Sequence, residues 1–370
     1  MHITIDARFW GPFNTGLGRY TENLIRHLLE LPNATEYTLI INSDNHEKFI
    51  DYLDRVHLVL NNAPHHTLRE QLSLSSNILQ SKSDLIHFPH YIVPIFNSGK
   101  PYVVTIHDII KHKYSKDSST LNPILFRSKY FFYDWTVKNA IRDSKAIIVP
   151  SNYVKNDLVE WFKAPLSKIF VTYEGADDFK ALKQVGNFSF PLADQSYILV
   201  VGNAYPYKNV QTVLASIAQL DENLHVVMVG VRDVFVHNLE PLIKSLGIKH
   251  RVHLLGFVDD ATLSFLYSHA LCYVSASLEE GFGIQPLEAM TMNCPVIVSD
   301  IPTYREICGN AVLYFPPQNH LALRDAILAL TLTKRKTLIE KGKVKVSQYS
   351  WRKMAKETHE IYERIVAKSK

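Results

Sequence analysis

Short apolar runs alternate with amphipathic stretches along the whole chain. The runs at 3–5, 37–41, 56–60, 85–87, 102–106, 146–149 and 169–172 predict strands in a first half. Those at 197–201, 225–229, 252–254, 271–274, 296–298 and 312–314 predict strands in a second half. Most are separated by stretches with apolar residues at helical spacing, such as 17–31, 210–220 and 261–268. Strand, helix, strand repeated this often predicts an α/β protein, with parallel sheets covered by helices on both faces. The pattern restarts near residue 197. Before it, 177–196 holds Gly186, Pro191 and polar residues without periodicity, and reads as a linker. Two doubly wound domains follow, 1–185 and 186–350, and then one amphipathic helix over 351–370. Its apolar positions are Trp351, Ala355, Ile361, Tyr362 and Ile365.

Composition narrows the class. A chain of 370 residues is too long for one ordinary domain, and 46% apolar with 21% charged residues excludes a disordered or fibrous protein. The net charge of +4 suits anionic ligands or a membrane surface and is too weak to imply nucleic acid. Three cysteines, Cys272, Cys294 and Cys308, form no disulfide framework and are expected as buried thiols. The opening M-H-I-T-I-D reads as a strand, not a secretory leader, and no window approaches the ~20 apolar residues of a membrane span. The expected location is cytoplasmic, with a peripheral place on the inner face of the membrane also open.

The strongest chemical signal is Glu280-Gly-Phe-Gly-Ile-Gln-Pro-Leu-Glu288. Two carboxylates flank a glycine turn, and Pro286 suits the first turn of a helix. Backbone N–H groups at that helix start would face an anion or a cluster of hydroxyls. An ordinary strand–turn–helix with surface glutamates has the same spacing. Lys208 follows the strand predicted at 197–201 and a turn containing Gly202 and Pro206. Its ammonium can set a point charge beside a diphosphate, although a surface lysine fits the position equally.

The segment S-L-E-E-G-F-G-I-Q-P-L-E-A-M closely resembles the signature of glycosyltransferase family 4. The likeness extends through G-L-G-R-Y-T-E-N-L at 16–24, T-I-H-D-I at 105–109, V-P-S-N-Y at 149–153 and V-T-Y-E-G-A-D at 171–177. It continues in V-G-N-A-Y-P-Y-K-N at 201–209, L-G-F-V at 255–258 and S-W-R-K-M-A at 350–355. It implies the GT-B fold, two Rossmann-like domains facing a central cleft, and a retaining glycosyltransferase that moves a sugar from a nucleotide-sugar donor to a glycan or lipid-linked acceptor. By the same resemblance, Glu288 binds the ribose hydroxyls and Glu280 lies near the donor sugar. The backbone of Phe282, Gly283 and Ile284 contacts sugar and phosphate, and Gly16, Gly18 and Val258 add donor contacts. His107, Lys208 and Glu280 are the candidate catalytic residues, His107 lying against the sugar. Asp108 and Arg19 are candidates for the acceptor. Where the family usually has an arginine ahead of the lysine, this chain has Asn203, so that either another cation substitutes or Asn203 binds the donor through a neutral hydrogen bond.

The resemblance further implies that the last helix crosses back onto the first domain. N-A-Y-P-Y-K-N looks like bacterial mannosyltransferases of surface-polysaccharide assembly, which makes GDP-mannose the first-choice donor, with other nucleotide sugars open. No cofactor is expected, and no metal, since no D-x-D motif stands near the donor residues. Two rival classes remain, a non-catalytic sugar-nucleotide-binding subunit and a GT-B sugar-nucleotide epimerase. The basic, aromatic stretch 111–145 reads first as a helix whose aromatics pack on the sheet. The second reading is a surface that meets an anionic membrane or a lipid-linked acceptor.

Overall fold

The computed structural model describes residues 1–11, 14–32, 34–64, 67–94, 99–114, 123–181, 196–230 and 233–369. All the expected strands form, within one residue at either end. The first half carries β1 (His2–Asp6), β2 (Glu36–Ile41), β3 (Val56–Leu60), β4 (Leu85–Phe88), β5 (Tyr102–Thr105), β6 (Ala146–Val149) and β7 (Ile169–Val171). They pair in the order β3-β2-β1-β4-β5-β6-β7, every pair parallel. The second half carries β8 (Tyr197–Val201), β9 (His225–Val229), β10 (Val252–Leu255), β11 (Cys272–Ser275), β12 (Val296–Ser299) and β13 (Leu313–Phe315). They pair in the order β10-β9-β8-β11-β12-β13, again all parallel. Strands such as β6 (Ala-Ile-Ile-Val) are buried at every position, as unbroken apolar runs require when both faces are covered. In each sheet the chain winds one way from the starting strand and then the other. The reversals lie between β1 and β4 and between β8 and β11.

Two compact units result. The first takes in Met1–Lys113, Ser119–Glu174 and Trp351–Lys370; Tyr114–Ser118 and Gly175–Ser350 form the second. The expected linker at 177–196 therefore needs correction at its start. Asp177–Ala181 is a short 3-10 helix of the second unit, with Phe179 buried and its ring 6.1 Å from that of Tyr267. Residues 182–195, including Gly186 and Pro191, lie outside the described residues. All three cysteines are free and buried.

The C-terminal helix, Trp351–Ser369, packs along Thr15–Glu30, the helix that follows β1. Trp351, Ala355, Ile361, Tyr362 and Ile365 are all buried. The long helix Pro123–Asp143 departs from the first reading of its aromatics. Tyr133 is buried, together with Val137, Ala140 and Ile141. Phe131 and Phe132 are 66% and 64% exposed, and Trp135 is 37% exposed. The helical period explains the split, because Tyr133, Val137 and Ala140 share the inward face and Phe131 and Trp135 the opposite one.

Candidate active site

The motif residues of the second unit meet at the reversal between β8 and β11. Such a point opens a crevice at the carboxyl ends of the strands, because successive connections leave in opposite directions. After β8, Gly202 has φ +123° and Pro206–Lys208 forms a 3-10 turn. Asn209 follows in the left-handed region at φ 52°, and its amide donates to Ala276 O over 3.1 Å. The Leu278 N–H donates to Tyr207 O over 2.7 Å, so the two loops are tied together. Lys208 and Glu280, 72 residues apart, thereby form an ion pair with Nζ 2.6 Å from Oε1. Their side chains are 17% and 9% exposed, which rules out the surface lysine and surface glutamate that spacing alone allowed.

Glu280 is held by more than the lysine. Ser277 Oγ donates to Oε1 over 2.7 Å and the Tyr304 hydroxyl over 3.3 Å. Thr303 Oγ1 donates to the backbone carbonyl of Glu280 over 2.7 Å. Thr303 and Tyr304 belong to the helix Pro302–Cys308. Burial pushes the Tyr304 hydroxyl well above its ordinary range, so it remains a donor. Gly283, at φ +75°, caps the helix Ile284–Thr291, and a Cβ there would stand 2.5 Å from Tyr304 Cε1. Phe282 and Ile284 are buried, the Phe282 ring meeting Tyr349 edge-on at 5.8 Å. Glu288 is buried on that helix and accepts from the Tyr267 hydroxyl at Oε2 over 3.0 Å. Asn203 Oδ1 accepts from the Ala204 N–H over 3.1 Å. Val258 is half-buried just beyond β10.

In the first unit, His107 stands two residues beyond β5. Its Nε2 lies 2.9 Å from Pro89 O and its Nδ1 3.4 Å from Glu174 Oε1, with the Tyr20 ring edge-on at 4.6 Å. Asp108 Oδ1 accepts from the Ile110 N–H over 2.9 Å and so shapes its own loop. Arg19 lies on the helix Thr15–Glu30. Gly16 and Gly18 lie on that helix too, and not in a loop before it. A Cβ on Gly18 would stand 1.9 Å from Gly11 O, so packing alone accounts for this glycine, whereas one on Gly16 would meet nothing within 4 Å.

Several buried polar residues are not singled out by the sequence signals. Ser277 and Glu174 lie inside quoted motifs, three residues before Glu280 and within V-T-Y-E-G-A-D. Arg8 is fully buried beyond β1, bidentate to Asp6 at 2.8 and 2.7 Å and 3.0 Å from Glu70. An acidic residue ending the first strand was its one local signal. Tyr304 and Tyr267 come from other helices and carried none. Among the described residues, no group of three or more His, Cys, Asp or Glu side chains is placed to hold a metal ion. No helix among them is long and apolar enough to cross a membrane.

Comparison with known proteins follows the two halves. Residues 14–178 match Glycosyltransferase Family 4, and residues 187–345 match Glycosyl transferases group 1. The O-antigen chain mannosyltransferase RfbU of Salmonella typhimurium is 27% identical over 86% of this chain and 87% of its own. The O-antigen chain mannosyltransferase B of Escherichia coli is 23% identical over 94% of this chain and 96% of its own. The crystal structure of HepE from Anabaena in complex with UDP-glucose shares the fold at a TM-score of 0.76. It is 15% identical and covers 98% of this chain and 99% of its own. Two Rossmann-like domains, each matched in sequence, make this chain a glycosyltransferase of the GT-B fold, related to the group 1 and family 4 enzymes that include bacterial O-antigen mannosyltransferases.

Proposed function

We propose that the chain is a retaining hexosyltransferase that moves mannose from GDP-mannose to a glycan or lipid-linked oligosaccharide. The observation that carries this reading is the Lys208–Glu280 pair at the β8–β11 reversal, with Glu288 on the helix that follows. Lys208 is assigned the charge of the departing diphosphate, with Asn203 as a neutral hydrogen-bond donor beside it. Glu280 and the backbone of Phe282, Gly283 and Ile284 are assigned to the donor sugar. Glu288 is assigned to the ribose, whose vicinal hydroxyls suit a carboxylate. Val258 is assigned to the nucleotide. No side chain is cast as a covalent nucleophile. The acceptor hydroxyl attacks on the leaving-group face, the C1–O bond to the diphosphate breaks, and the diphosphate takes the proton. This scheme draws its charge stabilisation from Lys208 and calls for no metal. Mannose is supported by the names of the two relatives, and the UDP-glucose complex keeps UDP-sugars as the rival donors.

The first unit is assigned the acceptor, with Arg19 and Asp108 as candidate contacts. The exposed face of Pro123–Asp143 carries Arg127, Phe131, Trp135, Lys138 and Arg142, and Trp161 nearby is 48% exposed. Exposed aromatics among cations suit the headgroup region of an anionic membrane. Both assignments are checked directly. GDP-mannose is expected to raise the melting temperature more than UDP-, ADP- or other GDP-sugars and to yield GDP with a retained product. Stabilisation by none of them sinks the reading. Sedimentation with phosphatidylglycerol vesicles is expected to exceed that with phosphatidylcholine and to fall in a Phe131→Ala/Phe132→Ala/Trp135→Ala variant.

A further inference from the structure

Among the described residues, side-chain donors reach the Glu280 carboxylate at one oxygen only. The three side-chain groups within hydrogen-bond reach of it, Lys208 Nζ, Ser277 Oγ and the Tyr304 hydroxyl, all fall on Oε1. Behind them Ser275 Oγ lies 2.7 Å from the Tyr304 hydroxyl and 3.1 Å from Ser277 Oγ. Four groups therefore form a closed set: Tyr304, Ser275, Ser277 and Oε1. Their protons can be placed without conflict. Tyr304 donates to Ser275, Ser275 to Ser277, and Ser277 to the carboxylate. Alternatively Tyr304 turns to Oε1 and Ser275 donates to Ser277. Either arrangement aims the final proton at Oε1, and hydrogen bonds in such chains strengthen one another. Ser277 and Tyr304 are buried, at 1% and 0% exposure. The Tyr304 ring does a second job, because it closes against the backbone of Gly283, where no Cβ fits.

We infer that Ser277 and Tyr304 are positioning residues that act through Glu280. They pin Oε1 against Lys208 and leave Oε2 as the acceptor offered to a hydroxyl of the donor sugar, while the Tyr304 ring backs the Gly283 turn. This rests on the proposed function, in which Glu280 faces the donor sugar. Two geometric facts carry it. Among the described residues one oxygen faces every side-chain group that can donate to the carboxylate, and a single tyrosine touches both the carboxylate and the turn. A carboxylate free to rotate would offer either oxygen to lysine or sugar. The hydroxyls remove that choice before substrate arrives, which is what preorganisation requires.

Tyr304→Phe keeps the ring against Gly283 and removes the hydroxyl, and Ser277→Ala removes the other donor. Each is expected to lower kcat about tenfold, the scale of one hydrogen bond to a charged group, with donor KM nearly unchanged. Ser277→Thr, which keeps the hydroxyl, is expected to restore kcat. The deciding measurement repeats both substitutions on a Glu280→Ala background, with melting temperatures recorded for every variant. If the hydroxyls act through Glu280, they cost nothing further there. If Glu280→Ala lowers transfer and Tyr304→Phe or Ser277→Ala lowers it again by the full factor, the inference is overturned while the function stands. If Glu280→Ala transfers at the wild-type rate, the assignment of Glu280 falls and takes this inference with it. Loss of kcat that tracks a fallen melting temperature, and is not rescued by Ser277→Thr, also overturns it.

Discussion

At the scale of single residues, the predicted chemistry rests on few groups. Lys208 is the cation paired with Glu280 at 2.6 Å. Lys208→Ala is expected to slow transfer by at least about a hundredfold, close to 3 kcal/mol, as when one preorganised donor to a developing charge is lost. Ser277 and Tyr304 still hold Glu280 in that variant, so the melting temperature should change little. Near wild-type turnover in a single-turnover assay would refute the role. The two glutamates are expected to divide. Contacts to ribose are the same in the ground and transition states, so Glu288→Ala should raise donor KM with kcat nearly kept. Contacts near the anomeric carbon change during reaction, so Glu280→Ala should lower kcat. Steady-state kinetics on the two variants test the split, and the reverse pattern would exchange their assignments. Both glutamates, the lysine and the glycine turn were legible because they sit in short local motifs. The Tyr304 hydroxyl was not, because it arrives from a helix 24 residues further on.

At the scale of elements, the C-terminal helix is fastened to the first sheet by polar as well as apolar contacts. His87, on β4 and fully buried, hydrogen-bonds the Tyr362 hydroxyl through Nδ1 and Thr105 Oγ1 through Nε2 at 2.8 Å. Thr105 also meets the Tyr20 hydroxyl at 3.1 Å, so two helices and two strands share one network. Tyr362→Phe leaves a buried imidazole nitrogen without its partner and should cost about 1–3 kcal/mol of stability by chemical denaturation. The same histidine makes an acid-sensitive contribution. Burial, with His107 nearby, lowers its pKa from 6.5 to about 3. The folded protein keeps it neutral, while the unfolded chain takes up a proton below about pH 6.5. Its contribution is therefore fully present above that pH and declines as pH falls towards 3, by up to about 1.4 kcal/mol per unit. His359 on the same helix is also lowered, mainly by burial, and adds in the same direction. Denaturation curves at pH 7, 6 and 5 should show a slope that flattens in His87→Gln. An unchanged slope would remove His87 from the account.

At the scale of the whole molecule, the two units differ in how they are assembled. The second is built mainly from one continuous stretch, Gly175–Ser350, whereas the first needs Trp351–Lys370 to cover the helix Thr15–Glu30. Tyr20, Leu24 and Leu28 are buried on that helix and Trp351, Met354 and Tyr362 on the other, so removing the last helix strips apolar surface from both. A protein ending at residue 350 should lose its stable first unit and all transfer activity, although every residue assigned to the donor remains. A fragment 175–350 should fold alone and still bind nucleotide, while 1–174 alone should not fold cooperatively. Circular dichroism melts and nucleotide titration of the three proteins check this. A fully active protein ending at 350 would overturn the role given to the helix.

The strands were legible residue by residue because a strand buried on both faces must be a short unbroken apolar run between turns. The C-terminal helix was legible because one apolar stripe at a 3.6-residue period has to be covered. Neither signal says what lies on the other side. An apolar run does not state its neighbour, so the orders β3-β2-β1-β4-β5-β6-β7 and β10-β9-β8-β11-β12-β13 emerge only when long crossover connections are packed. The exposure of Phe131, Phe132 and Trp135 was hidden for the same reason, since hydrophobicity measures a preference for burial and not the presence of a partner. Local spacing carried the chemistry of Glu280 and Lys208. Their meeting, and the crowding of donors on one carboxylate oxygen, was decided by two loops and a helix brought together at the carboxyl ends of β8 and β11, in the middle of the second sheet. Contacts across 72 residues leave no period in a sequence.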